Sequence, residues 1–287
     1  MKIRPSALAG TWYPSHPKEL KLSVEIFLTT TRSRERPELP STPQGKLRAL
    51  VLPHAGHRYS GRTCAAGIHR LRGEPVSKII LIGPSHRTFI RGAALPSATH
   101  FETPLGAVPI DPAAVQQLSA SGIPVSDTPH AKEHCLEILL PFFQVMLNSF
   151  QIVPLLVGSL SESERSFLAD RLRSIMDDRT LLVASSDFVH YGEDFDYVPD
   201  VGPDVRLGVR KIDDGAIERI RSMDAAGLVE YRRQTGATIC GIAPISVLLD
   251  ILPKNTRVEF VDYSQSADIT GDTDHMVSYA AVAFYDP

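Results

Sequence analysis

Histidines and a cysteine recur in this sequence at the ends of apolar runs, and these residue types bind transition metals or move protons near neutral pH. The run "ALVLPHAGHRYSG" stops at Pro53 and delivers His54 and His57 into a tight turn with Gly56 and Gly61. "KIILIGPSHR" passes through Gly83, Pro84 and Ser85 into His86, and "TLLVASSDFVHYG" reaches Asp187 and then His190. A single loop histidine is most often a hydrogen-bonded structural group. Three separate apolar runs each followed at once by histidine form a pattern that calls for a shared role.

Two further stretches could join the set. In "TGATICGIAPISVLLDIL", Cys240 stands just before an apolar helical stretch, where the positive end of a helix lowers a thiol pKa, so a thiolate is expected there. Cys64 and Cys135 sit in apolar surroundings and read as small buried hydrophobes. In "HAKEHCLEILLPFFQVML", His134 and Glu137 are three apart, which on a helix over 134–147 puts them on one face, as a second layer orienting the strand-end histidines. Pro141 should kink that helix or end its first half. His57 reads as a rim residue near solvent and His130 as a surface loop residue, while His100 and His275 have no supporting context.

Two histidines and one anionic ligand with open coordination positions is the pattern of non-haem Fe(II) sites, and copper and zinc also accept His and Cys. His54, His86 and Cys240 could supply such a trio, leaving His190, supported by Asp187, to transfer protons. A cysteine nucleophile is the alternative, with Cys240 attacking, His190 as base and Asp187 as orienter. Phosphate chemistry has no GxxxxGK[ST] loop and no strand-linked GxGxxG to stand on.

The elements that must position these groups are legible in outline. Short apolar runs at 47–53, 78–83, 151–157, 180–186, 257–263 and 277–285 read as strands covered on both faces, and 134–147, 161–177, 209–221, 223–234 and 241–252 read as helices. Ser161 and Glu164 form a capping-box signature at the start of the second of these. Alternating strands and helices predict a layered α/β/α sandwich around a mixed, largely parallel sheet, whose strand carboxyl ends would bring His54, His86, Asp187 and His190 to one crevice. The polar stretch 30–46 suits a surface loop, so one domain over 1–287 is expected. With 287 residues, 43% hydrophobic and 22% charged, the chain can bury a large core. A net charge of −3 leaves no footprint for nucleic acid. The absence of a long apolar run or an apolar leader, with only three cysteines, points to a cytoplasmic protein in a reducing compartment without a membrane partner.

The blocks "LAGTWYP", "PHAGHRYSG", "ILIGPSH", "EHCLEILLPF", "VPLLVGSLSESE", "SSDFVHYG", "TICGIAPI" and "VSYAAVAF" run in order along nearly the whole chain. Together they resemble the Memo family, whose bacterial and archaeal members are called AmmeMemoRadiSam system protein B. The resemblance implies a dioxygenase-like fold, similar to class III extradiol (LigB-type) enzymes that use Fe(II). It matches His54 and His86 to two histidine ligands, puts Cys240 where those enzymes have a glutamate, and matches His190, with Asp187 beside it, to an acid–base histidine. Trp12, Tyr59 and Glu137 match positions lining or supporting the pocket. A cysteine ligand softens the site toward Fe(II) or copper, with zinc as an adventitious occupant, and argues against ordinary ring cleavage. The implied activity is metal-dependent redox or O2 chemistry as an oxidoreductase, or else a catalytically silent module binding a peptide or protein in the cleft. A radical-SAM protein and an AMME-type domain protein are the implied operon partners.

Overall fold

The structure, a computed structural model, describes residues 1–32 and 45–287, so most of the loop expected over 30–46 lies outside the described residues. The strands are β1 (Ile3–Arg4), β2 (Leu47–Leu52), β3 (Lys78–Pro84), β4 (Ala93–Ala94), β5 (His100–Thr103), β6 (Gly106–Pro109), β7 (Gln151–Val157), β8 (Thr180–Ser185), β9 (His190–Tyr191), β10 (Arg257–Gln265) and β11 (Met276–Tyr285). The α-helices are α1 (Pro17–Arg32), α2 (His57–Ile68), α3 (Pro112–Ala120), α4 (Leu140–Met146), α5 (Glu162–Arg173), α6 (Val205–Arg221), α7 (Ala225–Thr235), α8 (Ile242–Ile251) and α9 (Ala267–Thr270).

All six apolar runs are strands of one mixed sheet ordered β10-β11-β2-β8-β3-β7-β4, with β9 pairing off β11. Its centre, β2-β8-β3-β7, is parallel, whereas β11 runs antiparallel to both β2 and β10. The continuous apolar spelling of the central strands follows from burial on two sides. Ala49, Val51, Ile80, Ile82, Leu182 and Ala184 face a core shared with α3 and α5–α8, and Leu50, Leu52, Ile79, Leu81, Leu181 and Val183 face the other, shared with α1, α2 and α4. The outcome is the expected layered α/β sandwich. A separate small sheet, β1-β5-β6, which the sequence reading did not anticipate, ties the amino terminus to the segment around residue 100.

After β2 the chain enters α2 on one face, while after its neighbour β8 it passes through β9 to α6 on the other. Where adjacent parallel strands send their connections to opposite faces, a crevice opens beyond their carboxyl ends. His54 and Asp187 lie at the two lips of that crevice.

Several boundaries differ from expectation. The α5 capping box forms as read, with Ser161 accepting from Glu164 N–H and the Glu164 carboxylate accepting from Ser161 N–H. The helix expected over 134–147 is instead a 3-10 turn, Glu137–Leu139, followed by α4. Pro141 sits in the first turn of α4, where its missing N–H has no intrahelical partner to lose, so it opens the helix rather than kinking it. The turn after β2 ends sooner than expected, because His57 is already the first residue of α2. Among the described residues no helix is long and apolar enough to cross a membrane.

Candidate functional site

His54, His86 and Cys240, carried by three separate segments, converge until one ligand atom from each lies within 4.8 Å of the others. Cys240 Sγ is 3.2 Å from His54 Nε2, and the His54 and His86 rings meet edge-on with centroids 5.1 Å apart. His134 completes a ring of imidazoles, 4.5 Å from His86 and 5.3 Å from His54 between centroids.

The hydrogen bonds behind these rings decide which nitrogen each presents. Ser185 Oγ donates its single proton to the Cys135 carbonyl at 2.6 Å, so toward His54 Nδ1, at 2.8 Å, it can only accept. His54 therefore carries its proton on Nδ1 and presents the Nε2 lone pair to the Cys240 sulfur. Burial, reinforced by the neighbouring His86, His134 and His190 rings, holds the His54 pKa well below the usual histidine value, so the ring is neutral.

Behind His86 stands Glu133, which the sequence reading passed over. Its Oε1 is 3.0 Å from His86 Nδ1 and its Oε2 accepts from His86 N–H at 2.6 Å, while His134 N–H donates to Oε1 at 2.9 Å. Burial pushes this carboxyl up, but the His134 and His86 rings outweigh it and hold it below the usual carboxylate range.

Glu137, expected in that role, is instead wholly buried against the amino-terminal segment. It pairs with Arg4 and accepts from Tyr13 O–H, Ser6 O–H and the Ala7 and Leu8 N–H groups. The three-residue spacing failed as a guide because the chain from His134 to Glu137 is a turn, not a helix. His134 itself does face the cleft, with its ring 4.7 Å from Trp12.

Asp187 and His190 also depart from expectation. Asp187 Oδ1 accepts from His54 N–H at 2.7 Å, so it ties β8 to the turn after β2 and does not orient His190. Burial lifts its carboxyl to about 7. His190 is held through its backbone, donating N–H to Thr238 Oγ1 at 3.0 Å and accepting from it through its carbonyl at 2.6 Å. Its ring packs edge-on to Phe195, its Nε2 is buried without a partner, and burial lowers its pKa to about 4.

The Cys240 thiol is raised by burial and by the Asp187 charge, not lowered, with its sulfur against His54 Nε2 and the Asp187 N–H. With its contact to His54 and not to His190, the Cys240–His190–Asp187 nucleophile arrangement is not assembled. His57, expected near solvent, is buried with Nε2 2.9 Å from the Ile138 carbonyl and its ring against Phe142. His130, expected on the surface, is 2% exposed and lies 3.0 Å from the Ala94 carbonyl. Both readings failed because elements distant in sequence, α4 and β4, close over them.

A cleft of about 740 Å³ opens above the imidazoles, walled by Trp12, Phe195, Tyr279 and His275, with Arg58 and Tyr59 on its lining. His275, which had no context in the sequence, stacks on Phe195 at 4.5 Å and thereby supports the same wall as His190.

Fold and site together define a layered α/β protein that gathers histidines in one open cleft beyond its parallel strand ends, with Cys240 set in the wall against His54. A family model described as Memo-like protein matches residues 4–283, and the chain belongs to the Memo family. It is 31% identical to the protein memo-1 homolog of Caenorhabditis elegans over 99% of this chain and 83% of that one. A MEMO1 family protein of Thermoplasma volcanium is 31% identical over 98% of this chain and 97% of its own. Protein MEMO1 of Homo sapiens is 30% identical over 98% and 96% respectively. Among solved structures, an uncharacterized protein of Escherichia coli K12 aligns with a TM-score of 0.53 over 83% of this chain and 99% of its own, at 16% identity, a likeness of fold alone.

Proposed function

We propose that the chain is a metal-dependent redox protein that holds Fe(II), or copper, through His54, His86 and Cys240. The observation that carries this reading is the convergence of the three ligand atoms within 4.8 Å, with both histidines tied behind at Nδ1 and His54 Nε2 facing the Cys240 sulfur at 3.2 Å. The fit rests on donor chemistry. Two imidazoles and a sulfur suit Fe(II) or copper better than they suit a hard cation, and zinc would be an adventitious occupant. When bound, the metal supplies one-electron exchange with O2 or an organic ligand. Cys240 in place of a carboxylate argues against extradiol ring cleavage.

The remaining work falls to side chains around the cleft. His190, neutral and with Nε2 unpartnered, can take a proton from a ligand in the cleft and return it. Trp12 and Phe195 offer flat apolar walls to a planar group, and of the three ligand residues His54 is the one fully buried. A cytoplasmic, reducing setting would keep Cys240 a thiol.

The test is metal content of protein purified without oxygen, followed by oxygen uptake with a mild reductant. Near-stoichiometric iron or copper, lost in His54→Ala and Cys240→Ser, is the expected result; full metal retained in His54→Ala would sink it. The aromatic cleft with Tyr59 37% exposed also supports the second reading, a silent module that binds a peptide or protein there. Metal-free wild type that refuses added Fe(II), yet binds a peptide saturably in the cleft, would favour it.

A further inference from the structure

We infer that the segment 133–135 is a positioning device that fixes the tautomers of two histidines on two different strand ends, through the Glu133 carboxylate for His86 and through the Cys135 carbonyl and Ser185 for His54. The metal reading above gives this device its purpose, but the tautomers belong to the metal-free chain.

Glu133 is 2% exposed and its carboxylate is surrounded by N–H groups. His86 N–H donates to Oε2 at 2.6 Å, Arg87 N–H to the same oxygen at 3.3 Å, and His134 N–H to Oε1 at 2.9 Å. An ionised carboxylate has no proton to give, so His86 Nδ1, 3.0 Å from Oε1, must be the donor. That leaves the His86 Nε2 lone pair for the cleft.

Two residues on, the Cys135 carbonyl takes the only proton of Ser185, and Ser185 Oγ can then only accept from His54 Nδ1. The Cys135 thiol is also anchored, 3.1 Å from the Pro84 carbonyl at the end of β3. One short segment, lying across the ends of β3 and β8, thus sets the open nitrogen of both rings before any ligand arrives. A neutral imidazole free to adopt either tautomer would spend part of its time with Nε2 protonated and closed to a metal. Carboxylates and carbonyls behind metal-binding histidines serve this purpose, and their loss typically costs 10- to 100-fold in affinity.

The experiment is long-range 1H–15N NMR of the metal-free protein, with wild type beside Glu133→Gln and Ser185→Ala, and Fe(II) affinity measured under argon by competition with a chromophoric chelator. The expected wild-type spectrum shows His54 and His86 both protonated at Nδ1. Glu133→Gln should mix or reverse the tautomer of His86 but not of His54, with His134, whose Nδ1 is also 2.9 Å from Oε1, free to respond as well, and Ser185→Ala that of His54 but not of His86, each weakening Fe(II) binding about 10- to 100-fold. Wild-type His86 or His54 protonated at Nε2 would overturn the inference without recourse to any variant. So would a folded Glu133→Gln protein with unchanged His86 tautomer. If the tautomers behave as expected but wild type binds no Fe(II), the metal reading fails and the positioning device stands.

Discussion

Trp12 is the only tryptophan in the chain, and its ring lies 4.7 Å from that of His134 on the cleft wall. Its emission is therefore a direct reporter of the site. Titration with Fe(II) or Cu(II) should quench it saturably in wild type and not in His54→Ala; equal quenching in both would place the metal elsewhere. Trp12 is held from behind by Glu137, which anchors Arg4, Ser6, Ala7, Leu8 and Tyr13 of the same segment. Glu137→Gln leaves the Arg4 guanidinium buried without its counter-charge, and breaking such a pair costs about 3–5 kcal/mol. A denaturant midpoint lowered to that extent, with Trp12 emission shifted to the red, is expected; an unshifted midpoint would show that Arg4 finds another partner. The two glutamates also mark how far single residues could be read. His54, His86, His190 and Cys240 were visible because each abuts an apolar run. Glu137 was given the place that Glu133 fills because the side a turn residue faces depends on dihedrals that spacing does not encode.

The elements that were legible are those whose burial is written into consecutive residues. β2, β3, β7 and β8 read as strands because both their faces are covered, and α5 announced itself through Ser161 and Glu164. The small sheet of β1, β5 and β6 was missed because strands of two to four residues carry no period to detect. Residues 134–136, the start of the helix expected over 134–147, were misread because their apolar residues are buried by a strand passing close by, not by a helical stripe. That close passage is concentrated at Gly83 of β3, where an added Cβ would stand 2.5 Å from Cys135 Sγ and 2.7 Å from Leu136 Cδ2. Gly83→Ala must therefore push the segment away from the strand end. Overpacking of this kind typically costs about 1–3 kcal/mol. Because the displaced segment carries Glu133, Fe(II) affinity should fall together with thermal stability; a stability loss with affinity intact would mean that the segment moves without disturbing Glu133.

Across the whole molecule, the fold keeps an unusual number of imidazoles neutral, and this should govern its behaviour in acid. His57 and His130 lie outside the ligand trio, each with Nε2 on a backbone carbonyl and Nδ1 buried without a partner. Burial lowers each of them to about 4. As pH falls below the unfolded value near 6.5, the unfolded chain takes up protons that the folded chain refuses, so stability drains away between about 6.5 and 4, by roughly 3 kcal/mol for each such ring. Asp187 and Asp213 act in the opposite sense. Their carboxyls are raised by burial to about 7 and about 6, so they favour the folded state at low pH and lose that contribution as pH rises through those values. The rings prevail by number, since His54, His134 and His190 are depressed as well. His130→Gln isolates one contribution, because the amide can still donate to the Ala94 carbonyl but cannot titrate. Denaturant midpoints at pH 7, 5.5 and 4.5 should fall less steeply in this variant than in wild type, the gap widening toward pH 4.5. Parallel curves would mean that His130 is protonated as readily in the folded protein as in the unfolded chain, and that the acid sensitivity resides in the cleft.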